Sequence, residues 1–219
     1  TGVQRMAEHL RMLERLDETP VVTELFHHPD LGSSDLVVIT RDVRGLFSLI
    51  AGTLAAHAVN IISAQIHTRA DGIALDTFQV SDPGGDMLTS SAHWGRTLAA
   101  LRAVLAGGEA VEALLERRRA AGRQAGSPGG APKIAVDNAL SDAYTVIEVK
   151  CPDRIGLLYL ITRTLSALDL DIASARIATE IDQAFDTFYV HDRDGRKVEE
   201  PKTMERVREA LEQALLEPI

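Results

Sequence analysis

The sequence predicts an α+β protein built as two tandem copies of one β-α-β-β-α unit. Three observations predict it. First, the turn Asp42-Val43-Arg44-Gly45-Leu46-Phe47 recurs as Asp153-Arg154-Ile155-Gly156-Leu157-Leu158. Second, each copy closes a run rich in β-branched residues, Leu36–Thr40 or Tyr144–Val149. It then opens a run with apolar residues at helical spacing: Leu46, Phe47, Ile50 and Leu54, or Leu157, Leu158, Ile161 and Leu165. The turn therefore joins a strand to a helix. Third, the register is tight. Gly45 and Gly156, Asn60-Ile61 and Asp171-Ile172, and Ala64 and Ala175 share an offset of 111, which falls to 110 at Asp76-Thr77-Phe78 and Asp186-Thr187-Phe188. The second hairpin is one residue shorter. Two copies of a unit this long make a domain pair, not a solenoid.

In chain order, Met6, Leu10, Leu13 and Leu16 predict a helix over about residues 4–16, stopped by Pro20. Residues 1–19 read as the tail of a preceding domain, since the chain opens Thr1-Gly2 and runs straight into that pattern. Val21–Leu25 is a short strand, after which His27-His28-Pro29-Asp30 enters a loop and Gly32-Ser33-Ser34 marks a turn. Following the first strand, turn and helix, Asn60–Thr68 alternates as a strand. Asp71-Gly72 is a hairpin signal, and Ile73–Val80 returns. A helical pattern from Ser91 through Leu105 resumes after Gly107-Gly108, over Glu109–Arg119, giving a first unit of residues 20–121. Residues 122–132, rich in Gly and Pro, read as a linker. The second unit, 133–219, repeats the order: strand Lys133–Val136, strand, turn, a helix to about Leu168, strands Asp171–Thr179 and Ala184–His191, and a helix Thr203–Leu216.

A split βαββαβ sheet needs one more edge strand per unit. Neither unit has one after its last helix, and both have one in front. The leading strands Val21–Leu25 and Lys133–Val136 are therefore expected to pair antiparallel with the first strand of their own unit, a permuted version of the usual order. The apolar face of each first helix should lie on the sheet, where each buried side chain contributes roughly 1.5–3 kcal/mol.

Composition narrows the function. Of 219 residues, 45% are hydrophobic and 25% charged, as in a globular protein. A formal charge of −9 argues against nucleic acid as a partner, and 4% aromatic residues leave little for base stacking. The run Arg117-Arg118-Arg119 reads as a solvated helix end, and the single Cys151 as a small buried hydrophobe. No membrane span or signal peptide is evident, so the cytoplasm is the expected compartment. The His27-His28-Asp30 cluster lacks metal-ligand spacing. Asp76 and Asp186, mid-strand at equivalent positions, read as structural, and no catalytic constellation is found.

The strand, the Asp-x-x-Gly-Leu turn, the helix and the Asn-Ile start of the next strand resemble the ACT domain, an amino-acid-sensing ferredoxin-like module, in both units. Closer features are Ala64-Gln65-Ile66-His67-Thr68 with Asp71-Gly72-Ile73-Ala74-Leu75-Asp76-Thr77-Phe78, the leading Thr23-Glu24-Leu25-Phe26, and the linker before Lys133. Together they resemble the C-terminal tandem ACT region of the bifunctional uridylyltransferase/uridylyl-removing enzymes that modify the PII signal protein. That resemblance implies tandem βαββαβ units and a glutamine-sensing role. It also implies catalytic domains, with Mg2+ or another divalent metal, that lie outside this segment. The segment itself is expected to hold no cofactor, and its partners to be L-glutamine or another small amino acid, PII through the absent domains, and an ACT-mediated homodimer. The turns depart from the family's Asp-Arg-Pro-Gly: the first carries Val43-Arg44, the second Arg154-Ile155, and Asp171 replaces the common Asn.

For an amino-acid ligand, backbone N–H groups at Gly45-Leu46 or Gly156-Leu157 are expected to hold the carboxylate. Asp42 or Asp153 takes the ammonium, and Asn60-Ile61 or Asp171-Ile172 sits opposite, with Arg44 and Arg154 in the turns. The bland alternative is that Asp42 and Asp153 cap the helices. Which unit takes ligand is open at this stage. A stand-alone ACT regulator, the sensor of a biosynthetic enzyme, and an acylphosphatase-like enzyme using Arg44 or Arg154 with Asn60 are the other readings.

Overall fold

In the computed structural model the described residues are 11–16, 18–121, 130–180 and 182–216. The first half runs β1 (Val21–His28), β2 (Ser33–Arg41), α1 (Leu46–Ala56), β3 (Asn60–Gln65), β4 (Ile73–Ser81), α2 (Ser91–Leu105) and α3 (Val111–Ala121). The second runs β5 (Lys133–Asp137), β6 (Thr145–Pro152), α4 (Leu157–Ala167), β7 (Leu170–Arg176), β8 (Thr179–Glu180), β9 (Gln183–Asp192) and α5 (Pro201–Leu216). Residues 122–129 of the linker and residues 4–10 of the predicted N-terminal helix lie outside the described residues; residues 11–15 are helical.

The leading strands fill the edges, as the sequence predicts. β1 pairs antiparallel with β2 from Val21↔Thr40 to His28↔Ser33, and β5 with β6 from Lys133↔Lys150 to Asp137↔Val146. The first hairpin corrects one boundary. His27 and His28 continue β1 instead of entering a loop, because a single 3-10 turn, Pro29–Leu31, suffices to reverse the chain. Ser33 and Ser34 then lie fully buried in β2. His27 Nδ1 meets Ser34 Oγ at 2.8 Å, and His28 Nε2 lies 2.9 Å from Asp35.

The halves join edge to edge. One sheet runs β1-β2-β4-β3-β7-β9-β6-β5, with β8 pairing β9. At the join, Ala64 faces Ala175, its own counterpart in the repeat, flanked by Ser63↔Arg176 and Gln65↔Ser174. The Ile66 N–H donates to Ala173 O at 3.0 Å and the Ile177 N–H to Ile62 O at 2.9 Å, again a pair related by the repeat. This is the self-complementary contact of a two-fold dimer made within one chain. β3 and β7 bulge at matching places, between Ile61 and Ser63 and between Ile172 and Ser174.

α1, α2, α4 and α5 cover one face of the sheet. The apolar faces read from the sequence are buried there: Leu46, Phe47, Ile50 and Leu54 from α1, with Leu157, Ile161 and Leu165 from α4. They belong to one core shared by both halves. On the other face Met12 is buried with Val22, Val37 and Ile39. The counterparts of Val37 and Ile39 are Glu148 and Lys150, both exposed, with Lys150 Nζ 4.6 Å over the Phe185 ring. The apolar side of the first half has a helix to cover it; the polar side of the second needs none.

α3 breaks the symmetry. The pattern read over Ser91–Leu105 and Glu109–Arg119 is two helices, separated where Gly107 adopts φ 72°. α3 packs Val111, Leu114 and Leu115 against Tyr159 of α4. The Tyr159 hydroxyl donates to Glu112 Oε1 at 2.5 Å, and burial together with that carboxylate pushes the phenol up to about 12. Gly52 of α1 sits under this crossing. A Cβ there would overlap Val111 Cγ1 and lie 2.9 Å from Tyr159 Cδ2. Gly52→Ala should therefore lower stability by about 1–3 kcal/mol, although Ala is the better helix former. A thermal melt with a raised midpoint would contradict this.

Candidate functional site

Two clefts lie where the halves meet, one on each side of the Ala64–Ala175 pair. The first, of 560 Å³, brings the turn Asp42–Leu46 against Asp171 and Ile172 of the other half. The second, of 580 Å³, brings the turn Asp153–Leu157 against Asn60 and Ile61. The edge-to-edge sheet sets this exchange, because it places the start of each half's third strand beside the other half's turn. All twelve sequence-predicted site residues line the clefts, six in each.

Both turns use glycine for a conformational reason. Gly45 and Gly156 precede α1 and α4 with φ 75° and 82°, the left-handed region that a side chain disfavours. This geometry closes a tight turn, in which the Leu46 N–H donates to Val43 O and the Leu157 N–H to Arg154 O, each at 3.0 Å. Those two N–H groups are therefore engaged, which corrects the expectation that they receive a carboxylate. The next donors in each first turn, Phe47 and Ser48 or Leu158 and Tyr159, have no acceptor four residues back within the helix.

The turn carboxylates do not cap the helices. Asp42 Oδ2 accepts from the Thr68 hydroxyl at 3.1 Å and Asp153 Oδ2 from the Thr179 hydroxyl at 3.4 Å, equivalent contacts in the two copies. Burial raises the Asp153 carboxyl above the usual range, and the negative charge of Asp182 adds to it.

The one-residue shift of arginine sends the two guanidinium groups to different places. Arg44 Nη2 reaches across the join to Ser166 O at 3.0 Å and Asp169 Oδ1 at 2.7 Å, closing the C-terminal end of α4. Arg154 Nη2 stays in its own half and donates to Leu215 O at 3.0 Å. Asn60 sits in the same cleft as Arg154, its Nδ2 3.3 Å from Asp82 O.

The walls also differ. The first cleft carries Tyr144 stacked on His191 with centroids 6.2 Å apart, and Arg193, which pairs with Asp169. Asp171 there is raised by burial and by the charge of Asp42. The second carries Ser81, Pro83, Gly84 and Gly85 at the corresponding rim, and Arg118 of α3 reaches it. Arg118 Nε is buried without a hydrogen-bond partner among the described residues. The arginine run is thus not a uniformly solvated face: Arg117 pairs with Glu109, Arg118 lines the cleft, and Arg119 donates to Ile155 O of the turn at 3.1 Å.

Four cleft residues escaped the sequence reading of the site. Thr68 and Thr179 follow from the repeat once the turn Asp is known to need a partner. Asp76 and Asp186 occupy inward positions of alternating strands, between Ala74 and Phe78 and between Ala184 and Phe188, and a carboxyl at an inward position was the signal. They are 1% and 2% exposed. Burial pushes each up to about 7, against the pull of an N–H donor from His67 or Ala178. Cys151 is buried, as its position suggested, and burial pushes its thiol up to about 11. No helix among the described residues is long and apolar enough to cross a membrane.

Residues 133–219 match the family model of an ACR9-like, ACT-like domain. Bifunctional uridylyltransferase/uridylyl-removing enzymes are similar over nearly the whole chain. The one from Gluconobacter oxydans is 38% identical over 93% of this chain and 22% of its own length. That from Rhodospirillum rubrum is 36% identical over 96% and 23%, and that from Azospirillum brasilense 35% over 92% and 22%. The chain thus spans between a fifth and a quarter of the length of the curated relatives it matches. A crystal structure of an unknown protein from Galdieria sulphuraria, 15% identical, covers 83% of this chain and 90% of that one at a TM-score of 0.28. Over nearly its whole length the chain is thus similar to one region of the bifunctional uridylyltransferase/uridylyl-removing enzymes, and it contains an ACT-like unit.

Proposed function

We propose that this segment senses L-glutamine and regulates the addition and removal of uridylyl groups on the PII signal protein by catalytic domains outside it, in the cytoplasm. The observation that carries this reading is the composition of the second cleft. The more family-like turn, Asp153-Arg154-Ile155-Gly156, and the family-like Asn60 stand in different halves of the sequence, and the fold brings them to one place.

In that cleft Asp153 takes the ammonium, and the first-turn N–H groups of α4 with Arg118 take the carboxylate. Asn60, which can both donate and accept, reads the side-chain amide. The first cleft is the poorer host: Arg44 is committed to the end of α4, and Asp171 and Asp42 place two carboxyls where the second cleft has one and an amide. A ligand in the second cleft touches both halves and the α3 strap. It favours one packing of the halves, which is passed to the catalytic domains with a coupling of about 1–3 kcal/mol. The divalent metal that the family implies finds no donor set here: among the described residues no three His, Cys, Asp or Glu side chains converge.

Calorimetry of the 219-residue chain with L-glutamine tests this. One saturable site is expected. Asn60→Ala or Asp153→Ala should weaken it about tenfold or more, since a hydrogen bond to a charged group is worth about 1.5–3 kcal/mol. Asp171→Ala should leave it intact. Absence of binding at millimolar glutamine, or sensitivity to Asp171→Ala alone, would overturn the assignment.

A further inference from the structure

Asp186 has a half-satisfied carboxyl. It lies mid-strand on β9, 2% exposed, on the face that carries Ala184, Phe188 and Val190 into the core. The Ala178 N–H bonds the carboxyl, while Oδ1 has no partner among the described residues. The same residue lines the second cleft beside Asp153. Asp76 repeats this arrangement in the first cleft: 1% exposed, bonded by the His67 N–H at 3.3 Å, Oδ2 without a partner, beside Asp42.

Burying a polar oxygen without a partner costs about 1–3 kcal/mol, and an apolar residue would remove that cost. The cost has a purpose if a guest supplies the missing partner. A guest carboxylate would be repelled by two neighbouring carboxyls; a donor is needed, and a charged one gains most.

We propose that Asp186, with Asp153, receives the α-ammonium of the ligand, making the second cleft selective for a primary amine. The inference rests on the second cleft being the amino-acid site. Around Asp186 stand Cys151 at the end of β6, Asp153 and Arg154 in the turn, Arg118 from α3 across the cleft, and, on the other face of the sheet, Lys133 of β5 with Glu148 and Lys150 of β6. Burial above all, and the charge of Asp153 beside it, push the free carboxyl up to about 7, so it holds its proton near neutrality. When the ammonium arrives with its three N–H groups, the carboxyl O–H bond breaks, the carboxylate pairs with the ammonium, and one proton passes to solvent. Binding is thereby linked to pH and weakens as the solution becomes acidic.

The test is calorimetry of the 219-residue chain near about pH 7 in two buffers, phosphate and Tris, whose ionisation enthalpies differ widely. L-glutamine should bind with an apparent enthalpy that differs between the buffers in the sense of proton release. Glutaramic acid, which keeps the carboxylate and the amide but lacks the amine, should fail to compete. Asp186→Asn should weaken glutamine about tenfold or more and abolish the buffer dependence. Glutamine binding that is buffer-independent, matched by glutaramic acid and unchanged in Asp186→Asn overturns this inference and leaves the site standing. No glutamine binding by the unmodified chain overturns both.

Discussion

Replacing Phe188 by Ala should destabilise the protein by about 3–5 kcal/mol, and the loss should be felt in the half that does not contain the mutation. Phe188 is fully buried on β9 and lies opposite Ala175, which pairs across the join with Ala64, itself opposite Phe78. Phe78 meets Phe47 edge-on, with centroids 5.4 Å apart. The apolar core runs through this line without a break. Removing one large ring leaves a cavity that the sheet cannot close, since both neighbouring strands are held by their own ladders. The protein carries its own reporters. Its single Trp, Trp94, is in the first half, buried with Nε1 donating to Leu88 O at 2.8 Å. Its three tyrosines, Tyr144, Tyr159 and Tyr189, are all in the second. In denaturant, the Trp94 fluorescence transition should coincide with the loss of far-UV circular dichroism and should move with it in Phe188→Ala. A Trp94 transition that stays in place would show that the halves unfold separately.

At about pH 8 the double variant Asp76→Asn/Asp186→Asn should be more stable than the unmodified protein, by several kcal/mol. Each carboxyl is pushed from an ordinary 3.8 to about 7 by burial. Between those two values the folded protein holds a proton that the unfolded chain has released. Folding therefore carries no cost from these groups below about pH 4, a growing cost as pH rises through the window, and its full cost above about 7, on the order of 4 kcal/mol per residue. Asn has the shape of the protonated acid and no charge to bury. The advantage of the variant should shrink steadily on acidification and vanish near pH 4. Urea midpoints measured across this range decide the matter. Equal stability at alkaline pH would mean that water or a rearranged neighbour satisfies the ionised carboxyls. This gain is the counterpart of the loss expected in glutamine binding: the same carboxyl that strains the fold equips the cleft.

Much of this architecture is legible in the residues. The doubled turn, the offset of 111 and the change from period two to helical spacing fix two β-α-β-β-α units, because each depends on local geometry and on which side chains must leave water. The need for an edge strand places β1 and β5 correctly for a similar reason: an inner strand with one bare side has unpaired backbone groups, and each unit has one short strand free to take them. Boundaries were less legible. His27 and His28 look like loop residues, and only the pairing of β1 with β2 shows that backbone hydrogen bonding can carry two histidines to the end of a strand.

The sequence by itself determined what each half is: its strands, its helix faces, and two turns whose glycines, at left-handed φ, tolerate no ordinary side chain. The tertiary structure decided what the halves make together. The pairing of β3 with β7 gives the second turn Asn60 and the first turn Asp171, and that pairing depends on contacts between residues more than a hundred positions apart, which no local pattern records. The sequence also carries no sign that α3 would cross the join and bring Arg118 to one cleft alone. Nor does it say that two mid-strand aspartates would each keep an oxygen without a partner, since satisfaction of a buried group is a property of everything around it in space.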